Sequence, residues 1–304
     1  MQPGSGAEED PRRDRAFVLP GPGCSQQGPE SSDGSRDDPA RRRRAGDGGT
    51  AAVPLTLASI NLHCGLDRYG YAYPVEEAIA ALDTDVVLVQ ENWRPRGGVS
   101  LARAAAGDCG YPGYAELPMT GDVDLPGLAV APRAPDEIGA WGIAVLSRHP
   151  ITVRTPIGLG AAPGDVIGDR SAQVVEVAGL QVVNVHLTHR LPYGPAQLLR
   201  LRRGLAGDYR PTVIAGDFNM FWPTILLARP YRQAARGRTW PAHRPLAQID
   251  HILRSPGLRI RRSGAMRGVG SDHRPIRVEV EVPRRTPGRH PDIAALRPPA
   301  RHRP

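Results

Sequence analysis

The sequence predicts an α+β protein built from two packed β-sheets with helices outside them. Eight short segments rich in Val, Ile and Leu are each bounded by Gly, Pro, Asp or Asn, as strands are. Several of their apolar runs are unbroken, the pattern of strands covered on both faces. Two segments carry a helical pattern, enough to cover a sheet but too little to form a core alone.

Taken in order, LTLASINLH (55–63) is the first strand. PVEEAIAALD (74–83) reads as a helix with Pro at its start, where a missing amide costs little. DVVLVQENW (85–93) is a strand, and residues 94–140, rich in Gly, Pro and Ala, read as loops with room for one strand. WGIAVLSRHP (141–150) follows as a strand, and AQVVEVAG (172–179) and QVVNVHLTH (181–189), joined through AGL, read as a hairpin. GPAQLLRLRRGLAGDY (194–209) is the second helix. PTVIAGDFNM (211–220), QIDHILRS (248–255) and RPIRVEVEV (274–282) complete the strands.

Residues 1–52 are Gly, Pro, Ser and charge, and cannot bury enough apolar surface to offset the entropy of ordering. They are expected to form a disordered tail, in which RRRR (41–44) is a solvated charge run or an electrostatic tether to nucleic acid. Residues 284–304 read as a second, basic tail, leaving 53–283 as one folded domain.

The formal charge is +8, and every one of the 39 basic residues is Arg. With abundant Ala, Gly and Pro, that bias suggests GC-rich codon usage, so basicity permits an anionic substrate such as nucleic acid without demanding one. The absence of Lys excludes Walker-type phosphate loops and lysine nucleophiles, and no GxSxG supports acyl transfer. Cys24, Cys64 and Cys109 have no CxxC spacing, which argues against a disulfide framework or a zinc site. No run reaches the roughly 18–20 apolar residues of a membrane span, and no apolar segment follows the Arg run as in an export signal. The expectation is a soluble, cytoplasmic monomer.

Polar residues collect where the strands end. LASI ends in Asn61, VVLVQ in Glu91, VVNV in His186, and VIAG in Asp217 with Asn219 two residues on. Asp250 sits in QID, and Asp272 and His273 stand just before the last strand. Each has a plain reading as a turn residue, a solvated acid or a core imidazole. Together they bring oxygen ligands and imidazoles from six distant segments to strand ends, which a site on a sheet rim requires. Hard oxygen donors without thiolates favour magnesium, manganese or calcium over zinc.

Asn61, QEN (90–92), VNVHLTH, GDFN, QIDHIL and SDHRPI, in that order, resemble the motif set of the endonuclease/exonuclease/phosphatase superfamily across about residues 53–283. The resemblance implies a four-layer αββα sandwich and a phosphoester hydrolase dependent on a divalent metal, Mg2+ or Mn2+. It implies Asn61, Glu91 and Asp272 as metal-binding residues. Asp217 and Asn219 are similar to the residues that orient the attacking water, His186 and His273 to the imidazoles at the scissile phosphate, and Asp250 to the carboxylate that orients His273. Asp217 and His273 are both candidates for the base.

VHLTH differs from the DNA-repair branch, which carries a Tyr and a Pro-Asn pair there, and is similar to deoxyribonucleases and neutral sphingomyelinases. In the deoxyribonuclease pattern that His has a carboxylate partner, for which Glu116 is the candidate, with a surface loop as its plain reading. Trp93, Arg94, Arg190, Trp222 and Arg274 follow the motifs and are candidate substrate contacts at the rim, against a reading as core caps and solvated charges. A nuclease is the first functional expectation. A sphingomyelinase-like or small-phosphoester hydrolase is the alternative, and a silent binding protein the least favoured.

Overall fold

A computed structural model describes residues 53–129 and 131–283; the two expected tails lie outside the described residues. In chain order the strands are β1 (Val53–Asn61), β2 (Val86–Pro95), β3 (Gly113–Asp124), β4 (Ile138–Ser147), β5 (Ile151–Val153), β6 (Ile157–Gly160) and β7 (Arg170–Val177). They continue with β8 (Leu180–His186), β9 (Thr212–Asp217), β10 (Arg232–Gln233), β11 (Asp250–Arg254), β12 (Arg259–Ala265) and β13 (Ile276–Val282). The helices are α1 (Val75–Ala80), α2 (Leu101–Asp108), α3 (Leu125–Leu128) and α4 (Tyr193–Gly204).

One sheet has the order β12-β13-β1-β2-β4-β3, the other β10-β11-β9-β8-β7-β5, with β6 beside β7. Leu57, Leu88 and Val145 of the first meet Val175, Val182 and Val213 of the second in an apolar layer between the sheets. On its far face the first sheet buries Ile60, Val87 and Val89 against Ile79 of α1 and Ala102 and Ala105 of α2. The second buries Val183, Val185 and Ile214 against Leu198 and Leu201 of α4. This is the four-layer αββα sandwich, and coverage on both faces explains the unbroken apolar runs.

The stretch 94–140 is more regular than its composition suggests. It holds α2, whose buried face is only Ala102, Ala105 and Ala106, and the long strand β3. β3 lies at a sheet edge and its register slips at Pro118, an interruption an edge strand tolerates. β12 also escapes the apolar pattern: it is an edge strand reading RIRRSGA, with charges that discourage edge-to-edge pairing. α4 stops at Gly204, short of the expected 209. Among the described residues no helix is long and apolar enough to cross a membrane.

Two pairs of neighbours are parallel, β1 with β2 and β8 with β9. Asn61 at the end of β1 bonds Asp217 at the end of β9 at 3.1 Å, so the carboxyl ends of both pairs share one end of the sandwich. The pairing of β2 with β4 slips between Val89 and Asn92, so Gln90 and Glu91 form a bulge at that end. Asn184 on β8 reaches across the layers, its Nδ2 donating to the Val89 carbonyl (3.0 Å) and the Ala144 carbonyl (2.9 Å) beside the bulge. Its Oδ1 accepts from Gln90 Nε2 at 2.7 Å. Asn184→Ala would leave these buried groups unpaired. We expect it to cost roughly 2–5 kcal/mol and to lower the melting temperature by on the order of 10 °C, measured by calorimetry against Asn184→Gln.

Candidate active site

Strand register assembles the site. His186, at the end of β8, is level with Asp217 at the end of β9, and Asp217 is level with Asp250 at the start of β11. Gly216 permits the close approach of β9 to β8, because a Cβ there would strike the Val185 carbonyl. From the first sheet, Asn61 ends β1 level with Gln90, and the loop before β13 supplies Asp272 and His273. Ser271 Oγ, donating to the Asn61 carbonyl at 2.7 Å, ties that loop to β1.

Asn61 Nδ2 donates to Glu91 Oε1 (3.0 Å) and Asp217 Oδ2 (3.1 Å), while its Oδ1 accepts from the His63 amide (2.9 Å). Asp217 Oδ1 accepts from the Asn219 amide at 2.8 Å. Glu91 and Asn219 both adopt left-handed backbone conformations, φ 51° and 52°. For Glu in particular this is uncommon, and such local strain concentrates at functional sites.

The two imidazoles have opposite environments. His273 Nδ1 donates to Asp250 at 2.9 Å, and its Nε2 stands 3.8 Å from Asp217 and 4.0 Å from Asp272. Burial opposes its charge, but Asp250, Asp217 and Asp272 outweigh burial and hold its pKa well above the ordinary range. His186 is held well below that range by burial, then by Arg170 and His273. Asn219 Nδ2 donates to the Leu187 carbonyl (3.0 Å) and faces His186 Nε2 (3.1 Å), so the hydrogen-bond network makes Nε2 an acceptor.

Glu116 does not partner His186. It is a half-buried residue of β3 that accepts from Tyr114, Ser100 and Asn92, while His186 Nδ1 is buried without a hydrogen bond. Trp141 lies over the His186 ring instead, at 5.1 Å between centroids. Behind it the buried Arg170 pairs with Asp165 at 3.0 Å and donates to the His186 carbonyl at 3.1 Å.

All eight motif residues thus meet at one end of the sandwich, but the rim expectations divide. Trp93 is a core residue, 2% exposed and paired across strands with Trp141. Its indole fills space left by Gly139 and donates to Glu137 at 2.9 Å, so it cannot contact substrate as expected. Arg274 spends its Nε on the Ala242 carbonyl, Arg94 is half-buried, and Arg190 and Trp222 are exposed. The segment 236–245, without a role in the sequence reading, holds the site from one side. Thr239 Oγ1 accepts from the Asp250 amide, and Trp240 Nε1 donates to Asp272 Oδ2, both at 3.2 Å. Neither carries a motif signal, since each acts through a contact ten or more residues away.

The donor set suits a hard divalent cation. Glu91 and Asp272, the expected ligands, are close enough to act together on the buried Cys64 thiol, which burial and then these two carboxylates push up. Beside them the Asp217 and Asp250 carboxylates stand with His273 within 4.8 Å of one another. Without a cation, burial and then Asp250 raise the Asp217 carboxyl to about 7, despite His273. Such an excess of buried negative charge is what a divalent ion relieves.

Residues 58–273 match the profile described as the Endonuclease/Exonuclease/phosphatase family. The chain belongs to that family. Among solved structures it is similar to an endonuclease/exonuclease/phosphatase from Beutenbergia cavernae (19% identity, 75% of this chain and 72% of that one, TM-score 0.55). It is also similar to a family protein from Leptotrichia buccalis (14% identity, 75% and 99%, TM-score 0.57). A mannosyl-6-phosphatase from Bacteroides thetaiotaomicron aligns at 17% identity over 74% and 99%, with TM-score 0.51. At these identities the likeness concerns the fold. No curated protein matches the sequence.

Because its folded-state pKa is raised, the protonated Asp217 favours the native state below the unfolded value of about 3.9, and that contribution is lost as pH rises through about 7. In EDTA, the stability difference between wild type and Asp217→Asn should therefore move toward the variant between about pH 4 and pH 7, by on the order of 3 kcal/mol. Urea unfolding across that range measures it.

Proposed function

We propose that the protein is a divalent-metal-dependent phosphodiesterase that directs water in line at phosphorus. The observation that carries this reading is the convergence of Asp217, Asn219, His186, Asp250 and His273 beside Glu91 and Asp272, with the Asp217 carboxylate 3.5 Å from one imidazole and 3.8 Å from the other. Glu91 and Asp272 would hold Mg2+ or Mn2+, with Asn61 fixing Glu91 through its amide. The bound ion supplies Lewis-acid polarisation of a phosphoryl oxygen.

The protein's own groups divide the remaining work. Asp217, held by Asn61 and by the Asn219 amide, orients the water and can take its proton at Oδ2. His273, kept charged by Asp250, offsets the negative charge that grows on the phosphate and would supply a proton to the leaving oxygen as its bond to phosphorus breaks. The neutral His186 and the Asn219 carboxamide brace each other and fix the position of the phosphate.

Nucleic acid is the first substrate reading, supported by the +8 charge and by the exposed Arg190 and Trp222. A phosphodiester at a lipid surface is the second, favoured by the exposed apolar loop that follows Asn219. Bis(p-nitrophenyl) phosphate and supercoiled plasmid separate chemistry from substrate choice. Hydrolysis should require Mg2+, stop in EDTA and fall by about 10²–10⁴-fold in His273→Ala. Full activity of that variant would remove His273 from the mechanism. Wild-type turnover of the small diester without plasmid nicking would favour the second reading.

A further inference from the structure

Directly beyond Asn219 the chain exposes four large apolar side chains within seven residues. Phe221 is 59% exposed, Trp222 62%, Leu226 42% and Leu227 37%. Single exposed apolar residues are ordinary, but a contiguous group marks an interaction surface. The local fold makes the exposure deliberate: the 3₁₀ turn Thr224–Ala228 buries Ile225 and Ala228 and turns Leu226 and Leu227 outward. Arg202 of α4 fixes the turn by donating to the Leu227 carbonyl at 3.3 Å. Behind it lies a cavity of about 640 Å³ lined by Trp222, Ile225, Leu226, Arg229, Tyr231 and Arg232.

Charge within this segment has one sign. From Phe218 to Ile249 the sequence contains five arginines and no acid. Arg229 and Arg232 are exposed beside the apolar residues, and Arg203 of α4 is exposed nearby on the adjoining groove. Phe221 and Trp222 stand two and three residues from Asn219, and consecutive Cα atoms are about 3.8 Å apart, so the Cα atoms of these two aromatics lie within roughly 11 Å of that of Asn219.

We propose that this loop docks the protein on an anionic lipid bilayer, with Phe221, Trp222, Leu226 and Leu227 entering the interface and Arg229 and Arg232 meeting lipid phosphates. Aromatic residues, aliphatic residues and arginines on one surface fit the boundary of a charged membrane, and Asp208 on the adjoining groove is paired with Arg210 at 2.6 Å. Bases of a single strand would stack on Trp222 and Phe221 but gain little from exposed leucines, and the Arg border would repel a second copy of itself. The docking concerns where the protein acts and does not depend on the proposed chemistry.

Flotation of the full chain with vesicles, in EDTA, tests the proposal. Wild type should bind phosphatidylcholine vesicles containing phosphatidylglycerol. Phe221→Ser/Trp222→Ser should bind at least about tenfold more weakly, and Arg229→Gln or Arg232→Gln about fivefold more weakly each. His273→Ala should bind as wild type does. Four outcomes would overturn the proposal. Wild type does not bind, or the Phe221/Trp222 variant keeps full binding, so that charge elsewhere suffices. That variant loses affinity for a single-stranded oligonucleotide but not for vesicles. Leu226→Ser/Leu227→Ser converts a solution dimer to monomer while vesicle binding is unchanged. Loop-dependent vesicle binding by a protein that hydrolyses no phosphodiester would uphold the docking and sink the chemistry.

Discussion

Two apolar sheets packed face to face have little to fix their relative position, because dispersion and burial are nearly indifferent to small slides. A buried carboxamide whose partners lie on the facing sheet removes that freedom, and Asn184 is such a group. Its carboxamide joins β8 to β2 and β4 at the point where the β2 bulge begins. The bulge turns Glu91 toward the site, and Asn61 and Asp217, from opposite sheets, meet across the same gap at 3.1 Å. The active centre is thus a seam between sheets, whose geometry is only as good as the hydrogen bonds that register one layer against the other.

The sequence was most legible where a residue's environment follows from its own strand. Strands covered on both faces announce themselves by apolar runs, and a polar residue ending such a run has few reasons to be there. Asn61, Glu91, His186, Asp217 and Asp250 were visible on those grounds. Elements at the edges were not: β3 tolerates Pro and Gly because one side pairs with nothing, and β12 is charged for the same reason. Trp93 misled because a two-residue bulge lies just before it, and beyond a bulge, position relative to Glu91 no longer tells which face a side chain takes. Thr239, Trp240 and Arg170 act through tertiary contacts that no local pattern encodes.

The asymmetry between the two histidines shows how a site can divide roles without changing residue type. Both are buried and both lie within 4 Å of Asp217. His273 has a carboxylate directly on Nδ1, so its charge is favoured in spite of burial. His186 has none; its Nδ1 faces no acceptor, and its surroundings include an indole and a guanidinium that bonds its own carbonyl. One imidazole is thereby suited to stabilising negative charge and the other to accepting a hydrogen bond.

Arg170 reinforces that division. A lysine in the same buried position could shed its proton to relieve desolvation, but a guanidinium keeps its charge at any accessible pH. It must therefore be paired, and the pairing with Asp165 fixes the start of β7, where its Nη1 meets the His186 carbonyl. The same fixed positive charge lies over the Trp141 ring at 5.4 Å and, after burial, works against protonation of His186. In a chain whose only strong base is arginine, an element of scaffold rigidity is also an element of site electrostatics.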